Sequence, residues 1–365
     1  MKTLFDETRI GTIPLRNRLI RSATWEAMAD ESGRPTPRLI RIYQELAEGG
    51  TGLLITSATT FSGDATRVPG LLGIPDDTCI PAYNELVRTV HEAGAPIVMQ
   101  LVFPGRHGAF WTPSVPSREE IHVIVREFGD AAIRVQRAGF DGVEIHAAHG
   151  YFLSQFLNDK RNTRTDEYGG PVENRIRFLL EIACKIRART GANYPLLVKI
   201  NCSDFEEDDG VCDACREACR QLAEDGITAI EISGGIQGMP LVHHGLPYEE
   251  SVYRDYAQEI ARTTGVPVIL VGMNRTTPML TSLLNTAGIG YFSFARPLLR
   301  QPDLAGYWRK NPNSPAACLS CDACRKQPEG NVCPFKELPA GKRMREPDER
   351  RPHDGLRNNW KKKTA

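Results

Sequence analysis

His146 and His149 stand three residues apart at the end of a short apolar run, and Tyr151 follows across a glycine, in EIHAAHGYFLSQFL at 144–157. Imidazoles and a phenol in this order admit three readings. They could ligate a metal, hydrogen-bond a substrate oxygen, or fill a polar corner of a core. No third close ligand is evident, which weakens a zinc site built on the pair.

The cysteines are the second suggestive set. Cys79, Cys184 and Cys202 are scattered, Cys212, Cys215 and Cys219 form a trio, and Cys318, Cys321, Cys324 and Cys333 form a quartet. The trio joins Ala214, Ala218 and Leu222 on one apolar helix face, where buried cysteine acts as a small hydrophobe. That reads as packing. The quartet, Cys318-x2-Cys321-x2-Cys324-x8-Cys333, is open to an iron–sulfur cluster, to tetrahedral zinc, or to free thiols.

These residues must be positioned by something. Eight short apolar runs recur at 18–23, 52–58, 96–102, 142–148, 195–202, 229–235, 267–272 and 291–296. Helical periodicity fills 37–49, 79–93, 118–138, 174–190, 211–225, 249–264, 276–287 and 302–309 between and after them. Strands alternating with helices predict parallel βαβ units, and eight of them predict a (β/α)8 barrel. A dinucleotide fold would need GxGxxG after the first strand, and none is there. Barrel chemistry lies at the C-terminal strand ends, here a polar set poor in carboxylates. A divalent-metal barrel would supply Asp or Glu at those tips.

The bulk numbers exclude other classes. The chain is 365 residues, 41% hydrophobic and 25% charged, with formal net charge zero. No global charge draws it to nucleic acid or an anionic membrane, and no run has the ~18 apolar residues of a spanning helix. The start, MKTLFDETRIG, has no apolar stretch after its lysine, so a cytoplasmic protein is expected. The expected organisation is a barrel over 1–310, a cysteine-rich segment over 311–335 and a flexible charged tail over 336–365.

The segment EIHAAHGYFLSQFLNDKRNTRTDEYGGPVENRIR at 144–177 closely resembles the signature of the old yellow enzyme family of FMN-dependent reductases. NRLIRSAT near the start, QLVFPGR at 100–106, EISGG at 231–235 and ARPLLRQPDL at 295–304 agree with it in order. The resemblance covers roughly residues 3–310. It implies FMN at the barrel mouth, reduced by NADH or NADPH and re-oxidised by an electron-poor alkene. Ser22, Ala23, Thr24 and Ala58 would then border the flavin, Gln100 would bond its pyrimidine edge, and Lys199 would stand beside the N1–C2 carbonyl. Gly272, Ala295 and Arg296 would meet the phosphate. His146 and His149 would bond the substrate's carbonyl or nitro oxygen, and Tyr151 would protonate the α-carbon.

There are departures. Phe103 replaces a histidine common in relatives and is expected to make the mouth more apolar. Ala295 replaces the usual glycine, with an expected loss of FMN affinity, and Trp25 stands where some relatives carry a redox-tuning cysteine. The quartet lies where 2,4-dienoyl-CoA reductases and trimethylamine dehydrogenases carry a [4Fe–4S] cluster, but its spacing is shorter than theirs. His243 and His244 could overhang the site or be solvated, and Phe103, Phe110 and Trp111 could wall its entrance or form an aromatic cluster that anchors a loop. The expected activity is hydride transfer from NAD(P)H through FMN to an activated C=C bond of a small molecule. The rivals are a flavin amine or N-methyl demethylase with an Fe–S outlet, and a metal-dependent lyase. A homo-oligomer is compatible with the sequence.

Overall fold

The apolar runs close into a cylinder because each must be covered on both faces, by helices outside and by the other strands' side chains inside. The computed structural model describes residues 1–206, 210–236, 249–327 and 329–336. Its barrel strands are β1 (Leu19–Arg21), β2 (Leu53–Thr60), β3 (Ile97–Leu101), β4 (Gly142–Ala147), β5 (Leu196–Asn201), β6 (Ala229–Ser233), β7 (Val268–Leu270) and β8 (Tyr291–Phe294). They pair in parallel in chain order, and β8 with β1 closes the ring. The chain is a (β/α)8 barrel, as the alternation predicts.

The main outer helices are α1 (Pro37–Glu48), α2 (Ile80–Glu92), α3 (Arg118–Arg137), α4 (Arg177–Thr190), α5 (Val211–Glu224), α6 (Arg254–Thr264), α7 (Thr277–Thr286) and α8 (Leu304–Lys310). Local signals set their starts. Thr36 caps α1 through its side chain, and Ser117 with Glu120 forms a capping box on α3. Two predicted helices start late. A separate turn of helix, Val172–Arg175, precedes α4, and α6 begins only at Arg254. On α5, Cys215 and Cys219 are buried and Cys212 half-buried, so the trio packs as expected.

The interior is layered. Ile20, Leu53, Ile55, Val98, Leu197, Ala229 and Ile269 fill the lower part together with the hairpin Thr8–Ile10 and Ile13–Leu15, which plugs the barrel bottom. That hairpin was not among the predicted elements. One step further along the same strands the alternation turns polar, giving Gln100, Glu144, Lys199, Glu231 and Ser293, all buried. Among the described residues no helix is long and apolar enough to cross a membrane.

The cysteine-rich segment docks on the barrel mouth. Asn331 donates its backbone N–H to Glu26 O at 2.7 Å and its side-chain amide to Trp25 O at 2.6 Å. Arg275 donates to Ser320 at 3.0 Å, and Arg296 pairs with Asp322 at 2.7 Å. His243, His244 and the tail from 337 onward lie outside the described residues.

Candidate active site

The residues assigned to flavin and substrate all reach one cleft. Ser22, Ala23, Thr24, Ala58, Gln100, His146, His149, Tyr151, Lys199, Gly272, Ala295 and Arg296 line one cavity of about 360 Å³ at the C-terminal strand ends. Its lining contains no aspartate or glutamate among the described residues and carries the cations Lys199, Arg296 and Arg325.

The two histidines arrive by different routes. His146 lies within β4, alternating with Glu144 on the inward side, and is 5% exposed. His149 follows the strand in a left-handed conformation (φ 64°), and Gly150 continues it (φ 71°). This tight turn ends at Tyr151, the residue before the short helix Phe152–Leu157. A left-handed non-glycine residue is strained, and its neighbours hold it there. Asn201 accepts the His149 backbone N–H at 3.0 Å, and Ser233 bonds the ring Nε2 at 2.8 Å. Asn201 is itself fixed by Asp204 at 2.6 Å and Gly235 O at 2.9 Å.

The result is a cluster of three rings. His146 lies 5.2 Å from His149 and 5.5 Å from Tyr151, centroid to centroid. Burial and the Lys199 charge push the His146 imidazole down to about 3, and burial likewise holds His149 well below the usual range. Both are neutral at physiological pH, able to donate one N–H each. His146 Nδ1 is buried without a hydrogen-bond partner. An orphaned ring nitrogen of a cleft-lining residue marks a place for a ligand.

Beneath them is a polar floor. Lys199 Nζ donates to Ser22 Oγ at 2.8 Å and forms an ion pair with Glu231 at 3.1 Å. Gln100 donates to Glu144 at 2.6 Å. On the phosphate side, Gly272 has φ 106°, and a Cβ there would meet the Tyr253 ring at 2.6 Å. Only glycine fits. Ala295 has φ −96°, outside the left-handed region that calls for glycine. Arg21, fully buried, ties this side to β1 by donating to Ala295 O at 2.6 Å and pairing with Glu26 at 2.8 Å. Tyr43 donates to the same carboxylate at 3.4 Å and accepts the Ser57 N–H at 2.7 Å.

Two expectations need correction. Phe103 does not line the cleft. It is 1% exposed and packs on Phe61, Trp111 and Phe152 at 5.2–6.1 Å between centroids, so its effect on the mouth is indirect. Trp111 is buried in the same cluster, and of the three aromatics only Phe110 faces the cavity.

Sequence reasoning missed Glu144 and Glu231 in the floor, and Asn201 and Ser233 as the residues that hold His149. The carboxylates had a signal. In V-E-I-H and I-E-I-S a glutamate takes the inward phase of an otherwise apolar strand. Cys324, Arg325 and Asn331 of the cysteine-rich segment also line the cavity, which nothing local in the sequence announces.

Beside this cleft, Cys318, Cys321, Cys324 and Cys333 together line a second, smaller cavity with Arg296 and Arg300. Burial raises the thiols of Cys324 and Cys333. Among the described residues, no three histidine, cysteine, aspartate or glutamate side chains are arranged to hold a metal ion.

Comparison with known proteins agrees with the geometry. The chain is 31% identical over 346 residues to an NADH oxidase of Thermoanaerobacter brockii, covering 87% of this chain and 52% of that protein. It is 31% identical over 322 residues to an NADPH dehydrogenase of Bacillus subtilis, covering 83% and 93%. The structure of an old yellow enzyme homologue from Zymomonas mobilis superposes with TM-score 0.73 at 23% identity, covering 93% of this chain and 99% of that one. The chain spans about half the length of several of the curated relatives it matches. Residues 3–112 and 109–313 match the NADH:flavin oxidoreductase / NADH oxidase family. The chain belongs to that family, the old yellow enzyme family.

Proposed function

We propose that this protein uses NADH or NADPH to reduce the activated C=C bond of an α,β-unsaturated carbonyl or similar electron-poor small molecule, with FMN in the cleft. The observation that carries the reading is the convergence of two neutral histidines and Tyr151 on one cleft whose described lining has no carboxylate. The cleft fits FMN by its donors. Arg296 and the backbone about Gly272 and Ala295 would meet the phosphate, Gln100 and Lys199 the pyrimidine edge, and Ser22, Ala23, Thr24 and Ala58 the ring. FMN, when bound, supplies two-electron hydride chemistry.

The protein's own residues do the rest. His146 and His149 donate N–H bonds to the substrate oxygen and stabilise the charge that develops on it. Their neutrality matters, because each keeps a donor without taking a full charge into a buried site. Tyr151 is 40% exposed at the cleft edge and serves as the acid for the α-carbon. Ser233 and Asn201 keep His149 in register. A lyase would want a metal-ligand set around the histidines.

The four cysteines share one small cavity beside the cleft and offer the donor set of an iron–sulfur cluster or of zinc. All ten cysteines are unpaired, which suits a reducing, cytoplasmic setting. The test is half-reaction kinetics on the FMN-loaded protein. NAD(P)H should bleach the flavin and an enone restore it, whereas restoration by no electron-poor alkene would refute the reading.

A further inference from the structure

The polar floor holds two carboxylates and one cation in a layer closed to solvent. Glu144 and Glu231 are both 0% exposed and Lys199 is 3% exposed. The cation pairs with one of them. Lys199 Nζ lies 3.1 Å from Glu231 Oε2, a charge contact without a hydrogen bond, and Ser293 donates to Glu231 Oε1 at 2.5 Å. The remaining Lys199 contact goes to Ser22. Glu144 receives only a neutral amide, from Gln100 to its Oε2, and its Oε1 has no hydrogen-bond partner. His146, two residues along β4, is neutral and brings no charge. A buried carboxylate without a cation of its own is more stable holding its proton.

We propose that Glu144 and Glu231 form a proton-holding carboxyl pair beneath the flavin cleft, with the proton resident on Glu144, and that loss of this proton lowers the reduction potential of bound FMN. The inference rests on the flavin reading given above. Burial, and then the neighbouring Glu231 charge, push the Glu144 carboxyl up to about 8. With Glu144 neutral, the floor is a balanced Lys199–Glu231 ion pair. When Glu144 releases its proton to solvent, the floor gains one negative charge, and electron uptake just above it becomes harder. By linkage, flavin reduction strengthens the hold of Glu144 on its proton. Glu144 touches Gln100, a cleft-lining residue, and acts through it. It is a positioning and tuning residue.

The test compares the FMN-loaded full-length protein with its Glu144→Gln variant, which mimics the neutral acid in shape. Two readouts are taken: the potential of bound FMN from about pH 6 to about pH 9.5, and the infrared carbonyl band of a neutral carboxylic acid. The expected result is equal potentials near pH 6.5, a wild-type potential falling below the variant's above about pH 8, and a neutral-carboxyl band absent from Glu144→Gln. Parallel potential–pH lines with no such band lost would overturn the proposal. If the variant does not fold, the wild-type band decides: its presence at neutral pH and disappearance on alkaline titration supports the proposal, and its absence at neutral pH overturns it. A protein that takes up no FMN contradicts the flavin reading, while the band still decides the state of Glu144.

Discussion

Asn201 Oδ1 accepts the backbone N–H of His149 across 3.0 Å, and this bond fastens a left-handed histidine to the end of the neighbouring strand. The strain at His149 is held from β5, whose Asn201 is completely buried. Asn201→Ala removes that hold, so His149 relaxes and the two-histidine donor set loosens. A loss of about 1–2 kcal/mol in phenolate binding, roughly tenfold, is expected. Titration of the long-wavelength phenolate–flavin band measures it, with Ser233→Ala as a milder companion.

Tyr151 is expected to act in one half-reaction. Tyr151→Phe should slow alkene reduction by roughly 10²–10⁴-fold, the usual worth of a positioned acid. Flavin reduction by NAD(P)H should be unchanged. Stopped-flow absorbance separates the two, and equal loss in both would remove Tyr151 as the proton donor.

The pH dependence of stability has a defined sign. His146 and His149 ionise below their ordinary value of 6.5 in the native state. Below pH 6.5 the unfolded chain therefore takes protons that the native state refuses, and stability falls as pH falls. Glu144 acts oppositely. Its carboxyl moves from 4.5 to about 8, so its share of stability declines as pH rises between those values. Two histidines outweigh one glutamate below about pH 6.5 and only the glutamate acts above it, which places these groups' combined maximum near that pH. Thermal denaturation across pH checks this. Glu144→Gln should remove their alkaline decline and spare the acid one.

The barrel's architecture and cleft were legible in the sequence where a local pattern carried them. β4 announces itself through an apolar run that carries His146, and the turn through His149-Gly150, where a glycine accepts the left-handed backbone. Gly272 fits a place where the Tyr253 ring leaves no room for a side chain. What stayed hidden depends on contacts between distant segments. Phe103 looks like a mouth residue until Phe152 and Trp111 pack over it. Glu144 and Glu231 become a pair only when β4 and β6 flank β5 in the closed barrel. Asn331 meets Trp25 only after 306 residues of chain have closed on themselves.

The Arg21–Glu26 pair offers a structural test. Both side chains are at most 1% exposed, and the pair bonds at 2.8 Å. Glu26→Ala strands a buried guanidinium and should cost about 3–5 kcal/mol. Replacing both, Arg21→Met with Glu26→Leu, should recover most of that stability, yet weaken FMN retention by releasing the Ala295 carbonyl. Urea denaturation and flavin fluorescence read the two effects separately.

The central claim is that electrons pass from a nicotinamide through flavin in this cleft to an electron-poor alkene. The most direct measurement is an anaerobic stopped-flow experiment on the FMN-loaded protein, mixed first with NADH or NADPH and then with an α,β-unsaturated ketone. The flavin absorption should bleach in the first step and return in the second, with the saturated ketone as product. A protein that binds no FMN, or a reduced flavin that no electron-poor alkene re-oxidises, would contradict it.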